Sequence, residues 1–134
     1  NGFVPTGQKP TTLTPARLFE SRPSSATVGT FDGRFVGGGR IAAGTTTQVL
    51  VAGLGGVPSN ATAVMLNPSA VGPSAAGYLT VFPCGTDVPN ASNVNYTAGQ
   101  VIPNAAFAKV GTGGQVCVFS SADTDLVIDA NAHV

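Results

Sequence analysis

Short runs of β-branched and aromatic residues, each closed off by Gly or Pro, constrain the fold of this chain more than any other feature. Residues 45–52 form such a run between Gly44 and Gly53. Residues 61–67 follow Pro58-Ser59-Asn60, and residues 77–82 carry Tyr78, Val81 and Phe82. Pro103 interrupts residues 101–110, as expected of an edge strand or a bulge, because Pro cannot donate to a ladder. Thr112-Gly113-Gly114 reads as a hairpin turn into residues 115–120, and residues 125–131 close the series. A shorter candidate, residues 16–22, stops at Pro23, and residues 24–39 read as a loop ending in Gly37-Gly38-Gly39. No segment sustains a 3.6-residue apolar period, and only residues 16–19 offer a helical turn. Strands at roughly ten-residue spacing predict an all-β domain, an antiparallel β-sandwich or jelly-roll-like barrel of about 7–9 short strands.

At 134 residues the chain is one domain by size and long enough to fold alone. Residues 16–134 are expected to form that domain, with residues 1–15 as an extended N-terminal arm. The arm is rich in Pro, Thr and Gly, and Pro15 disfavours helix at Thr14. Its apolar residues Phe3, Val4 and Leu13 suit either its own domain or the edge of a neighbour's sheet. The chain reads as a mature protein or as one repeat of a longer one.

Charge is scarce, at 9% of residues, with six basic against six acidic. That leaves no basic patch for nucleic acid and no cationic amphipathic stretch for a membrane surface. The apolar runs are too short to insert into a bilayer. Catalytic chemistry is thinly provided as well. His133 is the only His, Glu20 is the only Glu, and no Gly-x-Ser-x-Gly element occurs. No catalytic residue, metal or cofactor is therefore assigned. Asp123 and Asp125 offer too few oxygens for calcium and read as a solvated turn. Arg17, Glu20, Arg22 and Asp129 are the charges of most interest. Strand alternation puts Glu20 and Arg22 on one face, opposite Arg17. Asp129 lies in an apolar run, where a buried carboxylate needs a partner. An Arg from the first strand supplies it as a structural ion pair.

Cys84 and Cys117 occupy strand or strand-edge positions. They are either a disulfide, closing a loop of about 33 residues and contributing roughly 3–4 kcal/mol, or two separate buried thiols. Low charge and abundant Thr and Ser favour the disulfide and an oxidising, extracellular compartment. Asn60, Asn90 and Asn95 begin Asn-x-Ser/Thr sequons and are candidate glycosylation sites. Tyr78 and Tyr96, with Phe31 and Phe35, are candidates for stacking on a sugar, against the alternative of core packing.

The motifs also form an ordered series. Phe3-Val4-Pro5 is followed by Arg17-Leu18-Phe19-Glu20-Ser21-Arg22, then Gly56-Val57-Pro58 and Ala63-Val64-Met65-Leu66-Asn67. Residues 77–85 read Gly-Tyr-Leu-Thr-Val-Phe-Pro-Cys-Gly, and residues 92–100 read Ser-Asn-Val-Asn-Tyr-Thr-Ala-Gly-Gln. Val116-Cys117-Val118 and Leu126-Val127-Ile128-Asp129 end the series. Over nearly the whole chain this order resembles a β-sandwich surface-domain family of secreted actinobacterial and related bacterial proteins. Glu20 stands where Asp is usual, and residues 130–134 replace the usual Gly-aromatic pair. The resemblance implies a secreted module attached to cell-surface or secreted proteins, without a defined activity.

These readings lead to an expected function. The chain is a non-enzymatic structural or adhesive module, self-assembling into a surface filament or array through its arm. Its partners are copies of itself or tandem neighbours. The alternative is a carbohydrate-binding module that anchors a secreted protein to a glycan.

Overall fold

Among the described residues nine strands build two antiparallel sheets that face each other as a β-sandwich. They are β1 (Thr11–Glu20), β2 (Thr45–Leu50), β3 (Ala63–Val71), β4 (Gly77–Pro83), β5 (Val94–Tyr96), β6 (Val101–Pro103), β7 (Ala106–Lys109), β8 (Gln115–Ser120) and β9 (Asp125–His133). This architecture comes from a computed structural model that describes residues 9–23 and 29–134. The first sheet runs β1-β9-β3, and the far edge of β3 is shared by β6 and β7. The second runs β2-β8-β4-β5.

Pro103 breaks the edge as its missing N–H requires. β6 pairs with Ser69–Val71 and β7 with Ala63–Leu66, so the two are halves of one interrupted edge strand. The alternation expected of half-buried strands sends Leu66, Leu79, Val116, Val118, Leu126 and Ile128 into a shared core. Each such side chain contributes about 1.5–3 kcal/mol by leaving water.

Three boundaries differ from the sequence reading. β1 begins at Thr11, which pairs with His133, so residues 11–15 of the expected arm belong to the sheet. Leu13 packs against the core, whereas Phe3 and Val4 lie outside the described residues. The candidate helical turn at residues 16–19 is part of the same strand. Thr112–Gly114 is a 3-10 turn and not a hairpin, because it joins β7 in the first sheet to β8 in the second. Gly111 before it lies so close to the Cys84 backbone that any Cβ there would overlap it.

Cys84 and Cys117 form a disulfide with a Cα–Cα distance of 5.0 Å. Together with Phe82 and the partly buried Phe119 they make a second apolar cluster, separate from the core.

Candidate functional site

β4 presents opposite faces to opposite environments. Leu79 and Val81 enter the core, while Tyr78, Thr80 and Phe82 lie on the outer face of the second sheet. Residues 85–93 fold back over that face. The Thr80 hydroxyl donates to the Ala91 carbonyl at 2.5 Å, and Asn93 Oδ1 accepts the Val81 N–H at 2.6 Å. The returning loop leaves a pocket of about 310 Å³ lined by Tyr78, Pro89, Asn90, Ala91 and Ser92. Tyr78 is 38% exposed, and its ring centre lies 5.9 Å from that of Phe119 at a 40° tilt. An open tyrosine ring beside Asn and Ser groups can stack on a sugar ring and hydrogen-bond its hydroxyls.

Tyr96 has the opposite fate. It is 3% exposed, so a glycan contact there is corrected to a core role. Its hydroxyl bonds Ser120 Oγ at 2.9 Å and accepts the Ala122 N–H at 3.0 Å. Gly77, paired with Tyr96 across β4 and β5, makes room for that ring. A Cβ at Gly77 would meet the Tyr96 hydroxyl and Ser121 Oγ. Phe31 and Phe35 are both exposed, Phe31 near β1 and Phe35 beneath the Arg34 guanidinium at 5.1 Å.

The ion-pair residues do come together, in an arrangement that strand alternation misses. β1 pairs Arg17 with Asp129 but Phe19 with Ile128, so a bulge shifts the register between them. The bulge brings Arg17 and Glu20 to the same side, with Arg17 Nη1 3.5 Å from Glu20 Oε1. Arg17 Nε donates to Asp129 Oδ1 at 2.9 Å. Arg22 grips Glu20 through Nε and Nη2, each at 2.9 Å, and through its backbone N–H. The buried carboxylate is Glu20, at 0% exposed, and not Asp129, whose side chain is 24% exposed. The Glu20 hydrogen bond raises Arg22 above the ordinary arginine value, against the opposing effect of its own burial. Nearby, Asp125 bonds Ser21 Oγ and Arg40, and Asp123 accepts the Ala43 N–H, so both acids tie the loop at residues 40–43 to the sheet.

Among the described residues no group of three or more His, Cys, Asp and Glu could hold a metal. No helix there is long and apolar enough to cross a membrane. Asn60, Asn90 and Asn95 are all exposed, and Asn95 pairs with Tyr78 across β5 and β4. Asn93, a candidate with Asn95 for the groove of a glycan-binding module, accepts the Val81 N–H and so holds the loop within the fold. Its position inside an Asn-rich stretch is the only signal for its role in holding the loop.

Fold and site together define a disulfide-bonded all-β sandwich domain with an open aromatic pocket on its second sheet. Comparison with known protein families, curated proteins and solved structures finds no match to this chain.

Proposed function

We propose that this chain is a non-enzymatic extracellular structural or adhesive module that self-assembles into a surface filament or array through its N-terminal arm. The observation that carries this reading is where the chain enters the sandwich. The first strand after the arm, β1, is the edge strand of its sheet, and its pairing begins at Thr11. An arm attached to an edge strand can add to a neighbour's sheet without unfolding its own domain. The ordered motif series that resembles secreted surface domains supports the extracellular placement, as does the disulfide. The arginines support a structural role, since Arg17, Arg22, Arg34 and Arg40 each pair with an acid of the same fold.

Removal of residues 1–8 tests the reading without cutting β1. The truncated chain is expected to stay folded and to lose assembly in electron micrographs. Assembly that persists after the truncation rejects the arm.

The Tyr78 pocket favours a second reading, glycan binding. On that reading Tyr78→Ala abolishes binding on a glycan array and leaves the fold intact. Retained glycan binding in that variant excludes the pocket.

A further inference from the structure

The second sheet ends on β2, and the ladder fixes which of its backbone groups face outward. Cys84 N–H donates to the Gln115 carbonyl across the β4–β8 pair. In antiparallel ladders alternate residues bond alternate neighbours. Gln115, Cys117 and Phe119 therefore bond toward β4, and Val116, Val118 and Ser120 bond toward β2, opposite Val49, Thr47 and Thr45. The N–H and C=O of Thr46, Gln48 and Leu50 point away from the sheet. Among the described residues no hydrogen bond engages these outward groups.

Natural sheets protect their edges with bulges, Pro, charge or brevity. The other edges of this sandwich use these devices. β1 is bulged, and its far end is covered by Phe35 and Gly37. The β3 edge is broken at Pro103, and β5 has only three residues. β2 has none of them. It reads Thr-Thr-Thr-Gln-Val-Leu, six uncharged residues in unbroken register, with Thr45, Thr46 and Gln48 exposed.

We propose that β2 pairs with β2 of a second copy, antiparallel, about a two-fold axis through Gln48. The outward groups select the register. Gln48 faces its own symmetry mate, and Thr46 faces Leu50 in both directions, which overlaps the whole strand. A Gln side chain carries both a donor and an acceptor, so it can bond an identical Gln across the axis. The zero formal net charge sets no long-range repulsion between copies. A partner identical to β2 brings no charge to an edge that offers none. This contact is isologous and closes a dimer, so it is distinct from arm donation and does not depend on it.

Sedimentation equilibrium on the full chain tests the pairing, with Gln48→Lys, Gln48→Glu and their equimolar mixture. The expected result is a dimer as the smallest species of the unaltered chain, read at concentrations below those that support arm-dependent assembly. Each charged variant alone weakens dimerisation by roughly tenfold or more, because like charges meet across the axis. The mixture restores it as a heterodimer. Val101→Lys, on the exposed β6 edge, is expected to leave dimerisation unchanged, and unchanged melting curves confirm that the variants fold. A chain that stays monomeric overturns the proposal, as do charged variants that dimerise normally or a mixture that fails to recover. Loss of arm-dependent assembly on truncation, with the dimer intact, leaves this contact standing.

Discussion

Replacing Cys84 and Cys117 together by Ala puts the largest single covalent contribution to stability to a quantitative test. The bond joins positions 33 residues apart. A cross-link closing a loop of that length lowers the entropy of the unfolded chain by about 12.5 cal/mol/K, or about 3.7 kcal/mol at 25 °C. Both cysteines are 5% exposed and pack with Phe82 and Phe119, so lost sulfur contacts add about 1 kcal/mol. A 134-residue domain unfolds with an entropy of about 280 cal/mol/K near 60 °C, so the chain term alone lowers Tm by roughly 13 °C. Urea unfolding followed by circular dichroism is the assay. The midpoint falls and the slope m rises, because the uncross-linked chain exposes more surface when unfolded. A loss below about 1.5 kcal/mol with an unchanged m would show that the cross-link constrains the unfolded state far less than its loop length implies.

Other perturbations address the polar groups. Tyr96→Phe strands the buried Ala122 N–H and costs about 2 kcal/mol, read from the urea midpoint. Glu20→Gln leaves the Arg22 guanidinium without its counter-charge and costs about 3 kcal/mol by the same measurement, with Arg17 still held by Asp129. Arg22 is raised by the Glu20 hydrogen bond. Its contribution is present below the unfolded arginine value and is lost only as pH rises through the folded one, so stability should not fall on this account across the neutral range. Asp32 is held below the usual carboxylate range, chiefly by the Arg34 side-chain hydrogen bond. The stability this exposed pair contributes is present above the unfolded Asp value and is lost as pH falls through the folded one. In an NMR titration, Arg34→Ala is expected to move the Asp32 midpoint upward.

The residues that punctuate the chain made much of the fold legible. β2, β4 and β8 lie between Gly, Pro or Ser signals and begin where those signals place them. β5 was not legible, because a three-residue strand inside an Asn-rich stretch carries no period. Its existence depends on Val94 and Tyr96 reaching the core beside Leu79 and Gly77. The start of β1 was hidden for a different reason. Thr11 and Thr12 become strand by pairing with His133 and Ala132 at the other end of the chain. The bulge that unites Arg17 with Glu20 is likewise a register property and leaves no local mark. Tyr78 and Tyr96 show the limit most directly. Alternation around Leu79 points Tyr78 outward, but only the packing of β5 shows that Tyr96 turns inward. The burial of Glu20 similarly depends on distant contacts, with Phe35 and Gly37 bonding its backbone.

The measurement that tests the central claim most directly is cryo-electron microscopy of the full chain beside the chain lacking residues 1–8, with the mass of each particle determined. The account predicts ordered assemblies of the full chain, and folded, dispersed particles no larger than dimers from the truncated one. Dispersed particles from both, or the same ordered assemblies from both, would contradict a module that assembles through its arm.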